Sequence, residues 1–559
     1  MRDLKEENLM TQTVGHQIAE GLADAGVTTV FGVISIHNMP ILDALAEQGR
    51  IRFIPARGEA GAMNMADAFS RVSGQIGVAL TSTGTAAGNA AGAQAEALTA
   101  GSRVLHITTQ VDREYMDRDQ AAIHDVPKQP EMLRGVSKLV FRVWDEKGAM
   151  GALEAAVRAA VTPPSGPVSL EIPVDVQRAA SVGGRRLSPP QPAVALPDNT
   201  SLDDIADRVR AAKRPMLWLG GGARGASAQA TALAGLGFGI VTSTQGRATV
   251  AEDHPGTLGA FNMTPEAADI YASSDLMIVV GSRLRGNETK NNKLALPKPL
   301  FQIDAEPTQA GRNYPVDGFI CADATLALQG LLDRLPDKLD TDPNFHHEIA
   351  IARAKSEGAL RGRLGPYQIV ADHLLARVPA GRHPWVRDVT ISNSTFGNRY
   401  VQIAAPHLGI HALGGGIGQG IAMAIGAAAG SPDARTIALL GDGGAQLGLA
   451  ELITAVDEDL PITFVLMNDA AYGVIQNIQD AQYGGRRHYS KLKTPDFGLL
   501  CKSIGMAYQQ VIAIENFADT FDDTLDSNGP VMVEVNMTSI GPFAEAFAGP
   551  PAGAAGQSK

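Results

Sequence analysis

The residues whose types and spacing speak most directly of chemistry are Gly441-Asp442-Gly443-Gly444, which follow the apolar run Thr436 to Leu440, and Asn468-Asp469, whose acid comes 27 positions after Asp442. A strand that delivers a carboxylate to its carboxyl end, then glycines whose N–H groups can approach anionic oxygens, then a helix start, makes a place for a hard cation and a diphosphate. The helix reads as Leu447 to Val456. A second apolar strand, Ile462 to Met467, ends at Asn468-Asp469 and returns a second hard oxygen to the same sheet edge. Gly443 and Gly444 are therefore the candidate phosphate-facing glycines, and Asp442 and Asp469 the candidate cation ligands. A Gly-Asp-Gly after a strand is by itself an ordinary turn, because both residue types suit tight loops. The second strand-ending acid changes that reading.

The elements that must position these groups belong to a long chain. At 559 residues it exceeds one core, and domain-size scaling suggests about three units. Hydrophobic residues make up 45% and charged residues 19%, and 61 glycines suit tight strand-helix junctions. Strands alternating with helix-like segments argue for an α/β protein with parallel sheets flanked by helices. Breakers place the units at 10–185, 198–342 and 366–545, with the Pro-rich run Leu187 to Pro192 as a linker and Gly549 to Gly556 as a flexible tail. His346-His347, in the connection after the middle unit, is expected to face solvent. Cys321 and Cys501 cannot form a disulfide framework and lie in segments that read as buried, which fits a reducing cytoplasm. The charged opening Met1 to Asn8 lacks the apolar run of a signal peptide. His411 to Gly430 holds seven glycines and reads as a small-residue loop entering a buried helix, not a membrane span. A net charge of −12 without a basic cluster argues against nucleic acid.

With Glu451-Leu452 in the helix and Tyr472-Gly473 after the second strand, the site resembles the metal-diphosphate signature of thiamine diphosphate enzymes of the acetolactate synthase and 2-oxo acid decarboxylase superfamily. The resemblance implies three doubly wound parallel-sheet domains: pyrimidine-binding, central Rossmann-like and diphosphate-binding. It also implies Mg²⁺ held by Asp442, Asp469 and the Ala471 carbonyl, with Asp469 standing where asparagine is usual. In Arg57-Gly58-Glu59, Glu59 corresponds to the catalytic glutamate beside the aminopyrimidine, and Gly58 replaces a common histidine. Taken alone, Glu59 is simply an acid favoured at a helix N-terminus. Ile417, within Leu413 to Gly426, corresponds to the apolar wedge that bends the cofactor, and the Gly415 carbonyl to an acceptor for its amino group. Asn393, Ser394 and Thr395 correspond to a loop touching the diphosphate. Thr83 to Asn89 takes the place of the family's Gly-Pro-Gly-x-Thr-Asn loop, with Thr85 where proline is common.

His37 and His124 stand where relatives carry polar groups facing substrate, and histidine there suits proton transfer near neutral pH. A lone histidine is as often structural. Val474 and Ile475 match a substrate-contacting lid, joined by Ile540 to Phe547. Gly220 to Gly225 formally fits a dinucleotide fingerprint, yet no acid ends the next strand near Ile240 to Ser243. With only a partial match at Gly281 to Asn287, FAD is not expected. The resemblance implies an enzyme that makes or breaks the carbon–carbon bond beside the carbonyl of a 2-oxo acid, acetolactate synthase-like, in a homodimer or homotetramer with active sites between subunits. Decarboxylation of a larger aromatic or guanidino 2-oxo acid, 2-hydroxyketone cleavage, and a catalytically silent cofactor-binding subunit are the alternatives.

Overall fold

The computed structural model describes residues 12–183 and 186–547. The opening Met1 to Asn8, the tail from Gly549, and the boundary residues Met10 and Arg185 lie outside the described residues. Short runs rich in β-branched and aliphatic residues form strands buried on both faces, the burial that parallel sheets impose. Three all-parallel sheets result. The first contains β1 (Thr29–Gly32), β2 (Arg52–Pro55), β3 (Gly77–Thr81), β4 (Val104–Gln110), β5 (Leu139–Arg142) and β6 (Val168–Pro173), in the order β2-β1-β3-β4-β6-β5. The second contains β7 (Pro215–Leu219), β8 (Gly239–Thr242), β9 (Leu276–Val280), β10 (Leu300–Asp304) and β11 (Gly318–Cys321), in the order β11-β10-β9-β7-β8. The third contains β12 (Trp385–Arg387), β13 (Gly409–His411), β14 (Thr436–Gly441), β15 (Ile462–Asn468), β16 (Ala507–Val511) and β17 (Val531–Asn536), in the order β13-β12-β14-β15-β17-β16.

In each sheet the chain steps to one side and then returns past its starting strand, so the switch points lie between β1 and β3, β7 and β9, and β12 and β14. Crevices outside the carboxyl ends of strands at such points are where open α/β sheets bind ligands.

Two compact units are present. One holds residues up to Pro192 with Leu413–Gly430 and Gly448–Glu458; the other holds Ala193–Ala412, Ser431–Leu447 and the chain from Asp459. Within the first unit, the helix Gly420–Gly430 packs on the helix Glu59–Ser73 at backbone distance: a Cβ on Gly426 would lie 2.0 Å from the Met65 carbonyl oxygen. Gly426 and Gly430 are explained by that approach, the latter because a Cβ there would lie 3.2 Å from the Phe69 carbonyl oxygen.

Four local expectations are corrected. The expected helix Leu447 to Val456 begins only at Glu451, after a separate helical turn at Asp442–Ala445, and Gly448 lies in the non-helical stretch between them, where glycine disfavours a continuous helix. His346 is half-buried, with Nε2 3.0 Å from the Phe238 carbonyl oxygen, whereas His347 is exposed. Cys501 is buried but Cys321 only half so. Asn393–Gly397 is a wide helical turn with i→i+5 pairing, not an open loop.

Candidate active site

The candidate residues fall into two sets, one in each unit. In the second unit, β14 ends at Gly441 and places Asp442 at its carboxyl end, 1% exposed, while β15 brings Asn468-Asp469 to the same edge. Asp442 Oδ2 is buried with no hydrogen-bond donor. Burial first, then the charge of Asp469, pushes the Asp442 carboxyl up to about 7, and burial likewise raises Asp469. Two desolvated carboxylates facing each other with an unused oxygen could hold a hard divalent cation, whose charge would relieve both penalties. Among the described residues no three His, Cys, Asp or Glu side chains gather for a metal, so a cation here would draw its further ligands from backbone carbonyls, solvent or a bound phosphate group. The Ala471 carbonyl is one candidate: the flanking backbone bonds, Tyr472 N–H to Ser490 and Leu492 N–H to the Ala470 carbonyl, do not use it.

The loop is built tightly. Ala470 adopts φ +53°, and its N–H donates to Asn468 Oδ1 (3.1 Å). The Asn468 amide in turn donates to buried Glu534 (2.8 Å), which also accepts from the Tyr508 hydroxyl (2.5 Å). The Ala471 N–H donates to Asp469 Oδ1 at 3.2 Å. A Cβ on Gly473 would lie 2.2 Å from Asp469 Oδ2, so any larger residue there would push the acid from its position. Gly443 has a comparable reason, since its Cβ would meet the Tyr472 ring at 2.7 Å. Gly444 is buried beside it.

Asn393, Ser394 and Thr395 follow β12 across the switch point from Asp442. Asn393 is buried, with Nδ2 3.2 Å from His411 Nδ1 and Oδ1 unpartnered. Ser394 is half-buried, and its N–H donates to the Thr390 carbonyl. The Thr395 hydroxyl already donates to the carbonyls of Ile391 and Ser392, which leaves it only acceptor capacity. Val474 packs against the apolar core of this unit, whereas Ile475 is 47% exposed.

In the first unit, Glu59 opens its helix directly after β2, half-buried, and accepts from the Asn89 amide at 3.1 Å. Gly415 has φ +81° with open space where a side chain would project, so its glycine serves the backbone conformation. Ile417 presents an apolar side chain that is 38% exposed. The start of this loop is pinned by Glu96, which accepts from the N–H groups of Leu413 (2.6 Å) and Gly414 (2.5 Å) and pairs with fully buried Arg71. Sequence reading missed Glu96. Its signal was an acid in an otherwise alanine-rich helix.

His37 and His124, distant in sequence, meet at the switch point between β1 and β3, with ring centroids 5.2 Å apart and planes at 83°. His37 is buried, its Nδ1 3.5 Å from Ser82 Oγ, and burial followed by the His124 charge holds its pKa below the ordinary histidine value. His124 is exposed at φ +68°, and its carbonyl occupies the place a Cβ on Gly84 would take. Next to it, Asp125 has a buried oxygen without a donor; burial, then Asp117 and Asp119, raise its pKa.

At the second sheet's switch point, the N–H groups of Gly220 and Gly222 donate to the Val280 and Gly281 carbonyls, so these glycines serve close packing of two turns.

Profiles of the thiamine pyrophosphate enzyme family match in three parts: the N-terminal TPP binding domain at residues 12–132, the central domain at 202–331 and the C-terminal TPP binding domain at 391–535. The chain belongs to the thiamine diphosphate enzyme family. Within it, the chain falls in the acetolactate synthase-like and 2-oxo acid decarboxylase group. It is 28% identical to a protein named probable 2-ketoarginine decarboxylase AruI of Pseudomonas aeruginosa, over 94% of each chain. It is 26% identical to the chloroplastic acetolactate synthase of Arabidopsis thaliana, over 93% of this chain and 80% of the relative. Its fold matches the X-ray structure of a putative thiamin diphosphate-dependent enzyme from Mycobacterium smegmatis with a TM-score of 0.78 at 23% identity, covering 94% of this chain and 99% of that one. Among the described residues no helix is long and apolar enough to cross a membrane.

Proposed function

We propose that this family member catalyses Mg²⁺- and thiamine diphosphate-dependent decarboxylation of a 2-oxo acid and passes the remaining acyl unit to a second carbonyl compound, as an acetolactate synthase-like carboligase. The observation that carries the cofactor assignment is the Asp442–Asp469 pair, a buried acid with one oxygen left unpartnered facing a half-buried one. In this reading Asp442, Asp469 and the Ala471 carbonyl hold Mg²⁺, and Gly443, Gly444, Asn393, Ser394 and Thr395 face the diphosphate. Gly415 and Ile417 orient the pyrimidine. The bound cofactor supplies an electron sink beside the substrate carbonyl. Glu59, steadied by Asn89, exchanges a proton with the pyrimidine ring. His37 and His124 hold and move a proton near the substrate, a role supported by their contact and by the lowered pKa that keeps His37 neutral at physiological pH. Val474 shapes the pocket from the core side and Ile475 contacts substrate. No flavin enters this reading. Active sites shared between two copies of the chain, in a homodimer or homotetramer, complete it.

A second reading is aldehyde release from a 2-oxo acid with a cationic, guanidino tail. The unpartnered Asp125 oxygen among Asp117 and Asp119 favours it, and a 2-ketoarginine decarboxylase is among the relatives.

The test incubates purified enzyme, thiamine diphosphate and Mg²⁺ with a panel of 2-oxo acids, measuring carbon dioxide and product mass with Glu59→Gln as control. Acyloin or acetohydroxy acid product supports the first reading; aldehyde alone from a guanidino acid supports the second. No turnover of any acid, with Glu59→Gln indistinguishable from wild type, overturns both.

A further inference from the structure

We propose that Glu451 is a positioning residue that caps the Glu59 helix from a distant part of the chain and so fixes where the Glu59 carboxylate sits. The inference rests on the reading of Glu59 given above.

A helix start leaves backbone N–H groups without partners, and the residue before the first turn normally supplies a side-chain oxygen to them. Here that residue is Gly58, which has none. The helix Glu451–Asp457 instead supplies an acceptor to the two N–H groups just before that first turn. The Glu451 carboxylate, 5% exposed, accepts from the Arg57 N–H (3.2 and 3.1 Å to its two oxygens) and the Gly58 N–H (3.0 Å). Thr454 Oγ1 lies 3.1 Å from Glu451 Oε2 and 3.2 Å from the Pro55 carbonyl, sharing its hydrogen between the capping acid and the end of β2. The arginines nearby are engaged elsewhere, Arg57 with Asp457 and Arg52 with Glu458, so the charge of Glu451 is balanced chiefly by backbone dipoles.

Fit confirms how closely the two segments are matched. A Cβ on Gly61 would lie 2.0 Å from Glu451 Oε1, so the first turn of the Glu59 helix is shaped around this carboxylate. At Gly58 itself a Cβ would lie 4.0 Å from the same oxygen, which leaves room for a local cap. Since Glu59 immediately follows the two residues held by Glu451, a shift of that turn moves the acid at the helix start.

The experiment uses the full chain loaded with thiamine diphosphate and Mg²⁺. It measures proton exchange at the cofactor C2 without substrate, the pH profile of turnover, cofactor affinity and thermal midpoint. Glu451→Gln retains the shape but turns an amide N–H₂ towards backbone donors, and exchange is expected to slow by about 10²-fold, the scale of an ångström-sized misplacement of a catalytic group. Cofactor affinity stays near wild type. Adding Gly58→Ser to that variant supplies a local cap and is expected to restore about tenfold of the loss. Wild-type exchange and pH profile in Glu451→Gln, with only the midpoint lowered, would reduce Glu451 to a brace and overturn the proposal. Should Glu451→Gln fail to fold, Thr454→Val loosens the same carboxylate: slowed exchange supports positioning, unchanged exchange overturns it. If Glu59→Gln exchanges like wild type, it is the assignment of Glu59 that fails.

Discussion

Two buried acids, Glu451 in the first unit and Asp442 in the second, have opposite surroundings. Glu451 is met by two backbone N–H groups and a hydroxyl. Asp442 faces another carboxylate and leaves Oδ2 without a donor. Both are desolvated, burial raises the pKa of both and backbone hydrogen bonds offset part of that, but only Asp442 also faces the charge of a second carboxylate. A satisfied buried acid holds structure, whereas an unsatisfied one is the kind of group that a bound cation would stabilise.

The contrast is sharpest in substitution. Glu451→Ala strands the Arg57 and Gly58 N–H groups and is expected to lower unfolding free energy by about 3 kcal/mol, checked by chemical denaturation. Asp442→Asn removes a repulsion and is expected to do the reverse in metal-free protein at pH 8, gaining about 1 kcal/mol, while abolishing Mg²⁺-dependent retention of the cofactor by calorimetry. The same acid gives a pH signature. Its carboxyl titrates at about 7 when folded and at the ordinary aspartate value, 3.8, when unfolded, so between these the folded state carries an extra proton. Metal-free wild type should therefore gain about 1 kcal/mol as pH falls from 8 to 6, and Asp442→Asn should lack that component. Loss of stability in Asp442→Asn, or an unaltered pH slope, would break the comparison. The smallest effect is expected at Gly58→Ala, within about 0.5 kcal/mol, because φ −159° suits any residue and the Cβ has room.

Much of the site was legible because its parts are local. Strand ends at Gly441 and Asn468 follow from apolar runs that stop at an acid, and those strands are observed at Thr436–Gly441 and Ile462–Asn468. The glycines near the acids were visible as types but not as reasons: Gly473 leaves room for Asp469 Oδ2 and Gly61 for Glu451 Oε1, contacts between residues that sequence order separates or turns away. The helix expected from Leu447 starts only at Glu451, since Gly448 outweighed the apolar spacing around it. His346 read as solvent-facing because it lies in the connection after the middle unit, and the Phe238 carbonyl that engages it lies 108 residues away.

The sequence by itself determined the α/β class, the strand ends that carry Asp442 and Asp469, and the helix start at Glu59, because hydrophobic runs, glycine turns and acids at element boundaries act over a few residues. Only the tertiary structure decided which acids are satisfied. Glu451 meeting Gly58, Glu96 meeting Gly414 and His37 meeting His124 depend on chain crossings that bring distant backbone within hydrogen-bond or ring-contact reach, and burial then gives each meeting its energetic weight.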